Sequence, residues 1–571
     1  MEYRPVVRIR AILIVVVLLS LILVSRLFFI QIVKGSYYTD RANRQYQMPA
    51  DDLLDRGTIF FQTKDGKLVS AATMQEGFIL AVNPTLIKNV EATYSQINQI
   101  ISIDHESFIV KAQKPDDPYE EILPRLDKVK GGAVNQLKLP GIILVKTRWR
   151  TYPGHTIAAH VLGLVGLEGN DYVGRYGLER YYNKSLTRLP DKSFISFIAE
   201  AFSEIGGSVT GSQKDKSTEA NLVLSIEPTV QQTLEQNLAK VQELYAPDAA
   251  GGIIMDPKTG EIVALAALPT FDPGEKIPSL DILKNPLVEN VYEMGSIFKP
   301  LTLSAALDAG VIEPTTTYND EGVLTIDGQR VYNFDQRGRG VVSMQAVLNQ
   351  SLNTGAVFAM QQLGKNKFRQ YFTNYGLGEK TGIDLPNEAS GLLGNLNSPR
   401  NLEYATASFG QGIAVSPIEM IRALATLGNG GVLVQPYVVK RLERENTKLS
   451  NTIKSVIIRQ VITPETSQAI TKMLINTFDD GLLNGKYKQE HYSIAAKTGT
   501  AQMSNPATGA YYEDRYLHSF FGYFPASDPR FIIFLYMVYP KNVQYASHTL
   551  TEPFMELTKF LLNYYNIPPD R

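Results

Sequence analysis

The first apolar block of the chain runs from residue 11 to residue 33. It opens as Ala11-Ile12-Leu13-Ile14-Val15-Val16-Val17-Leu18-Leu19, is broken at Arg26, and resumes as Leu27-Phe28-Phe29-Ile30. A membrane-spanning helix needs about 20 mainly apolar residues. The block reaches that length when Arg26 carries its charge to the outer interface along its aliphatic stem. Arg4, Arg8 and Arg10 precede it and place the N-terminus in the cytoplasm. No small-residue cleavage site follows, so a single-pass anchor is preferred over a cleaved signal peptide. The pattern predicts a cytoplasmic tail at 1–10, a transmembrane helix at 11–33 and an extracytoplasmic remainder.

Beyond the anchor the pattern becomes mixed. Asp55-Arg56-Gly57-Thr58-Ile59 and Lys64-Asp65-Gly66-Lys67-Leu68 read as short strands with turns between them. A helical, charged middle spans roughly 84–135. A polar Gly/Ser-rich stretch at 206–220 reads as a loop at a domain boundary. A strand follows at 222–226, then helical periodicity at Val230, Leu234, Leu238 and Val241. Strands at 252–255 and 261–265 are joined by the turn Asp256-Pro257-Lys258-Thr259-Gly260. A helix starts near Ser296 and stops at Gly310, and a mainly helical stretch continues to about 430. Strands return at 494–501, 518–524 and 531–538, and a last helix spans about 552–564. Short turns between such runs favour antiparallel pairing. Strands at both ends with helices between predict an α/β (α+β) domain at 216–571, a central antiparallel sheet between helices. The mixed α+β region at 34–215 precedes it.

Composition narrows the function. With 571 residues the chain holds two or three domains, and 44% apolar residues supply a substantial core. A formal net charge of -1 argues against nucleic acid as the main partner. The absence of cysteine excludes disulfides and thiolate metal sites. The six histidines are scattered, and the closest pair, His155 and His160, does not share a helix face, so they read as structural rather than metal-ligating.

The candidate chemistry begins at Ser296-Ile297-Phe298-Lys299, the one S-x-x-K in the sequence. On a helix this spacing stacks both side chains on one face. A serine hydroxyl becomes a nucleophile when a neighbouring base takes its proton. A lysine can serve as that base when burial or a second cation lowers its pKa. Pro300 places the pair at the start of its helix, where the dipole favours a developing alkoxide. Two further motifs follow in order. Ser351-Leu352-Asn353 lies between helical runs, and Lys497-Thr498-Gly499-Thr500 lies on a strand pattern. K-T-G also occurs at Lys258, in a turn, and at Lys380, in a loop. Period 2 on the strand puts Thr498 and Thr500 on one face, and Gly499 between them is expected to leave room for a ligand.

S-x-x-K, S-x-N and K-T-G in this order resemble the signature of the penicillin-binding and serine β-lactamase enzymes. The chain is similar to a class B penicillin-binding protein, the membrane-anchored, monofunctional D,D-transpeptidase of peptidoglycan synthesis. Arg56-Gly57-Thr58-Ile59 with Asp65-Gly66-Lys67-Leu68, the stretch 158–166 and Gly177-Leu178-Glu179 resemble its pedestal (dimerisation-type) domain at 34–215. Ser408-Phe409-Gly410-Gln411-Gly412 and Val415-Ser416-Pro417 resemble recurrent stretches of the transpeptidase domain. Leu352 departs from S-D-N, which weighs against a class A β-lactamase more than against the superfamily.

The resemblance implies roles that spacing alone does not. Ser296 is the expected nucleophile and Lys299 its general base, with Lys497 the second cation and Ser351 a proton relay between the lysines. Asn353 is expected to hold the substrate amide. Thr498, Gly499 and Thr500 are expected to bind the terminal carboxylate of a D-Ala-D-Ala stem, with the N–H groups of Ser296 and Thr500 as the oxyanion hole. No cofactor or metal is implied. The expected partners are peptidoglycan stem peptides, β-lactams, a membrane glycosyltransferase and elongation or division proteins. One rival is a D,D-carboxypeptidase or β-lactamase, for which the anchor and pedestal have no evident use. The other is a non-enzymatic membrane scaffold or β-lactam sensor. Intact motif residues oppose the scaffold, and a tail of ten residues is too short for a signalling domain.

Overall fold

The apolar strand runs between 249 and 538 form one five-stranded antiparallel sheet. The computed structural model describes residues 55–114, 117–168, 171–188, 219–444, 450–505 and 507–571, with scattered positions between 13 and 26. Helix α1 (Pro228–Tyr245) precedes strands β1 (Ala249–Met255) and β2 (Ile262–Leu268). Helix α2 (Lys299–Asp308), helix α3 (Asn353–Leu363), helix α4 (Pro417–Ala425) and helix α5 (Pro464–Asn476) follow. Strands β3 (Ala495–Ser504), β4 (Tyr511–Phe524) and β5 (Phe531–Val538) and helix α6 (Thr551–Tyr564) complete the domain. The strand order is β3-β4-β5-β1-β2, with every neighbour antiparallel.

The sheet is buried on both faces because its side chains alternate between two cores. Ala250, Ile254, Phe520, Ile533 and Leu535 pack with Val230, Leu234 and Leu238 of α1 and Phe554, Leu557 and Leu561 of α6. Ile253, Met255, Phe521, Phe534 and Tyr536 belong to the opposite core, with Leu301 and Leu303 of α2, Ile418 and Ile421 of α4 and Ile470 and Leu474 of α5. The α1 helix shows how local sequence sets these faces. Pro228 occupies its first turn, the Glu227 carboxylate accepts from Val230 N at 2.7 Å, and the apolar residues recur on one side. The predicted sheet between helices is the observed architecture.

The stretch after α2 departs from the expectation of continuous helix. Four short strands interrupt it: Thr317–Asp320 pairs with Gly340–Ser343, and Val323–Ile326 pairs with Gln329–Tyr332. The second pair is closed by Asp327 and Gly328, both at positive φ (49° and 80°), the two-residue turn that suits the twist of a hairpin.

The chain divides into two compact units. One contains Gln75–Trp149. Its helices Val90–Asn98, His105–Ala112 and Lys128–Gln136 start at Asn89, Asp104 and Asp127, whose side chains accept from the first turn. Strand Glu120–Asp127 cuts the predicted helical middle, and Leu80, Val82, Ile97, Phe108, Leu126 and Val134 form the core. The other unit contains Arg56–Met74, Arg150–Arg188 and the chain from 219 onward. Within it the Arg56 and Arg150 guanidiniums enclose the Glu179 carboxylate, all three fully buried.

Most of the predicted anchor at 11–33, the tail at 1–10 and most of the 206–220 loop lie outside the described residues. The described positions between 13 and 26 are helical, and their apolar side chains, Leu13 and Leu23 among them, are exposed. Among the described residues no helix is long and apolar enough to cross a membrane.

Candidate active site

Ser296 stands in a tight 3-10 turn, Gly295–Phe298, that leads directly into α2 at Lys299. Gly295 takes a left-handed φ of 63°, and a Cβ there would lie 2.7 Å from the Thr500 carbonyl oxygen. Only glycine lets the turn come this close to β3. The turn carries Ser296 and Lys299 round to one side, with Lys299 Nζ donating to Ser296 Oγ at 3.0 Å. Ser296 is partly exposed, while Lys299 is fully buried.

Ser351 occupies the corner between helix Met344–Asn349 and α3. It is a non-glycine residue in the left-handed region, φ 55°, an energetically costly conformation that its surroundings must hold. Lys299 Nζ donates to its carbonyl at 2.5 Å and to its Oγ at 3.1 Å. Leu352 points into the core with no exposure, so the position where S-D-N has aspartate is here an apolar packing site. Asn353 opens α3, and its amide donates to Tyr332 O at 2.8 Å, which leaves the side-chain carbonyl as the group without a protein donor among these bonds.

Lys497 projects from β3 and donates to Ser351 Oγ at 3.1 Å and to Thr498 O at 3.0 Å. The other two K-T-G lysines lie elsewhere: Lys258 in the β1–β2 turn, paired with Asp528, and Lys380 in a loop. Strand β3 is the outer strand of its sheet, and its free edge faces the turn that carries Ser296. Because the N–H and C=O of one strand residue point to the same edge, and the Thr500 carbonyl lies against Gly295, its N–H is directed there too. The Thr500 hydroxyl accepts from Ala546 N at 3.1 Å. Gly499 also has a packing purpose. A Cβ there would meet Ser519 Oγ and come within 2.6 Å of Met294 O, so the glycine admits the nucleophile's own turn. Ser519 of β4 locks that contact by donating to Met294 O at 2.9 Å.

The electrostatics follow from burial. Lys299 is held well below its ordinary range, chiefly by loss of hydration and then by the nearby Lys497 charge. Burial brings Lys497 down to about 7. A buried lysine that shares a hydroxyl with a second lysine is poised to be neutral, and a neutral amine accepts a proton from serine.

Further residues position this site, and the Ser408–Gly412 stretch singled out in the sequence is among them. Gly410, φ 79°, lies against the Gly295 backbone, and its carbonyl accepts from Gly295 N at 3.1 Å. Thr302 of α2 donates to Ser408 O at 2.8 Å, so the Ser408–Gly412 stretch backs the nucleophile turn. Glu293 accepts from the Tyr511 hydroxyl at 2.8 Å, tying the start of β4 to the segment that enters the turn, and burial raises its pKa.

Comparison with known proteins matches most of the chain. Residues 250–558 match the penicillin binding protein transpeptidase domain, and residues 55–193 match the penicillin-binding protein dimerisation domain. The chain is 30% identical over 545 residues to stage V sporulation protein D of Bacillus subtilis, covering 94% of this chain and 82% of that one. It is 26% identical over 443 residues to peptidoglycan D,D-transpeptidase FtsI of Escherichia coli K12, covering 76% and 71%. Among solved structures, penicillin binding protein 3 of Mycobacterium tuberculosis complexed with aztreonam aligns with a TM-score of 0.68 at 22% identity, over 91% of this chain and 98% of that one. Penicillin binding protein 2X of Streptococcus thermophilus aligns with a TM-score of 0.71 at 20% identity, over 89% and 80%.

Proposed function

The chain belongs to the penicillin-binding protein transpeptidase family, and from that premise we propose how its residues divide the work of a peptidoglycan D,D-transpeptidase. It is a serine-type, penicillin-sensitive acyltransferase. The observation that carries the division is the unbroken chain Ser296 Oγ, Lys299 Nζ, Ser351 Oγ, Lys497 Nζ, with steps of 3.0, 3.1 and 3.1 Å.

In this reading, Ser296 Oγ attacks the carbonyl carbon between the two terminal D-alanines as neutral Lys299 takes its proton. Negative charge on the carbonyl oxygen is met by the N–H groups of Ser296 and Thr500, an arrangement worth a few kcal/mol in the transition state. The C–N bond then breaks. Ser351 passes a proton from the lysine pair to the leaving D-alanine amine, and an ester to Ser296 remains. A second stem's amine attacks the ester carbon and loses its proton to the same relay, and the C–O bond to Ser296 breaks as Ser296 Oγ takes a proton back, which completes the crosslink. The Asn353 side-chain carbonyl accepts from the stem's amide, and Thr498, Thr500 and the Lys497 charge hold the terminal carboxylate. A β-lactam presents the same carboxylate and acyl carbon and acylates Ser296.

The apolar run at 11–33 is proposed as a single-pass anchor in the cytoplasmic membrane, with residues 1–10 inside and the catalytic domain outside. Residues 34–215 are proposed as the pedestal and 216–571 as the transpeptidase domain. The working partners in this reading are a membrane glycosyltransferase that supplies the glycan and the elongation or division proteins that recruit it.

The test is intact-mass spectrometry of the full chain in detergent with a penicillin, beside Ser296→Ala. One slowly lost penicilloyl group, mapped to Ser296 and absent from the variant, is expected. Folded protein without an adduct would return the scaffold reading, and rapid turnover of the adduct would return a β-lactamase. With stem-peptide substrates, release of D-alanine without crosslinks would indicate a carboxypeptidase.

A further inference from the structure

Ser351 is held in a left-handed conformation, yet the residues that form its corner have no capping side chain of their own. Leu352 stands at the N-cap of α3 and supplies no hydrogen bond to the helix start. The missing cap comes from elsewhere in the chain. Asn333 Oδ1 accepts from the Thr354 backbone N–H at 3.2 Å, as a local N-cap side chain would. The Thr354 hydroxyl lies 2.8 Å from Asp320 Oδ1 and 3.1 Å from both Asn333 Oδ1 and the Tyr318 hydroxyl. Asn333 in turn donates to both Asp320 oxygens, at 2.9 and 3.0 Å. The carboxylate also accepts from Gly322 N at 3.0 Å and Arg339 N at 3.2 Å. Asp320, Asn333 and Thr354 are all buried.

The same segment grips the corner on both sides. Tyr332 O holds the Asn353 amide. Arg339 Nε donates to Gln350 Oε1 at 3.2 Å, next to Ser351, while its two terminal nitrogens donate to Asp335 at 2.8 Å each. The Arg339 guanidinium is thus engaged by Asp335, and the buried Asp320 oxygens are satisfied by hydrogen-bond donors. A carboxylate with this many donors around it fixes the position of every one of them.

We infer that residues 317–343 form a brace for the Ser351 corner, with Asp320 as its positioning residue. This inference rests on the transpeptidase reading above. Asp320 touches none of the reacting groups. It acts through Asn333 and Thr354 on the start of α3, and so on Ser351 and Asn353. Loosening the brace lets Ser351 leave its place between the lysines and lets water reach them.

The experiment compares Asp320→Asn, Thr354→Val and Thr354→Ser with the wild-type chain. It measures the second-order rate of acylation by a fluorescent penicillin across pH, together with thermal stability. Val keeps the shape of Thr354 and removes its hydroxyl, whereas Ser keeps the hydroxyl. Asp320→Asn and Thr354→Val are expected to acylate between about tenfold and a hundredfold more slowly, the scale of a small misplacement of a reacting group. Their acid limb is expected to move to higher pH, because hydrated lysines bind protons more readily. Thr354→Ser is expected to retain the wild-type rate and limb. A merely structural role lowers the active fraction without moving the limb. Folded variants with an unmoved limb, at full or reduced amplitude, overturn the inference. A wild-type chain that takes no penicillin overturns the transpeptidase reading itself, and the inference with it.

Discussion

Lys299 and Lys497 share one hydroxyl: the Nζ of each lies 3.1 Å from Ser351 Oγ. Two ammonium groups so close in a buried site repel each other, so the protein favours one charge on the pair. Lys299 is the more deeply buried and feels the Lys497 charge, and is the one kept neutral. Lys497, at about 7, carries the charge part of the time near neutrality. This division lets one lysine act as base while the other attracts a carboxylate.

A bell-shaped pH profile of kcat/KM for acylation follows. The acid limb belongs to protonation of Lys299, and the alkaline limb begins near pH 7, where free Lys497 gives up its proton. Lys497→Arg keeps its charge at every accessible pH. The variant is expected to be slower throughout, because the guanidinium misfits the Ser351 contact, and to lack the alkaline limb. An alkaline limb that survives in Lys497→Arg would assign it to another group.

The base is expected to weaken the fold. Lys299 has a folded-state pKa well below the unfolded value of 10.5, so below that value the unfolded chain binds the extra proton and gains from it. The cost is present at neutral pH and disappears as pH rises past 10.5. Lys299→Met is therefore expected to abolish acylation and raise stability by about 1–2 kcal/mol near pH 7, with the gain fading in alkali. Thermal unfolding at pH 7 and pH 10.5 checks both the size and the sign.

Leu352 makes the middle motif Ser-Leu-Asn, and its burial among apolar side chains explains the letter. Leu352→Asp restores the S-D-N pattern but buries a carboxylate without a partner. The expected result is a loss of about 3 kcal/mol or more, measured as a lower unfolding midpoint, with no faster acylation. A faster variant of unchanged stability would show that the aspartate position reaches the cleft.

How far the sequence carried these conclusions depends on range. The Ser296–Lys299 pair and the five strands are local patterns and were readable as such. The choice of Lys497 over Lys258 and Lys380 rested on strand context, and Lys497 is the K-T-G lysine found beside Ser351. The short strands at 317–343 leave little trace in a mainly helical pattern because none exceeds four residues, although Asp327-Gly328 carries a two-residue hairpin signal. Asp320, Asn333 and Thr354 carry no motif, since their meeting depends on folding segments 21 and 34 residues apart. Gly499 stands out within its motif, but its packing does not, because the group it accommodates, Met294 O, lies about two hundred residues earlier.

Glu179 answers two buried guanidiniums at once. Its Oε1 accepts from Arg150 Nε at 2.6 Å and its Oε2 lies 2.8 Å from Arg56 Nη2. Glu179→Gln removes the carboxylate of this cluster and leaves two buried like charges facing an amide. Breaking a buried pair in this way costs roughly 3–5 kcal/mol. The variant is expected to unfold at a lower denaturant midpoint while the molecules that remain folded acylate with the wild-type pH profile. A shifted profile would mean that the cluster also bears on the catalytic corner.

Gly499 gives the sharpest test of how the nucleophile is held. Position 499 is where β3 presses on Met294 and Ser519. An added methyl would stand 2.6 Å from Met294 O, well inside contact distance, and both neighbours are backbone or hydrogen-bonded groups with little freedom to give way. The turn would have to retreat from β3, carrying Ser296 away from the Thr500 N–H. Overpacking of this kind costs about 1–3 kcal/mol of stability, and a shift of the nucleophile near 1 Å costs on the order of a hundredfold in rate. Gly499→Ala is therefore expected to lose far more acylation rate than its modest stability loss explains. Measured side by side, a variant that stays folded and acylates at the wild-type rate would show that the close approach of β3 to Met294 is not what aligns Ser296 with its oxyanion donors.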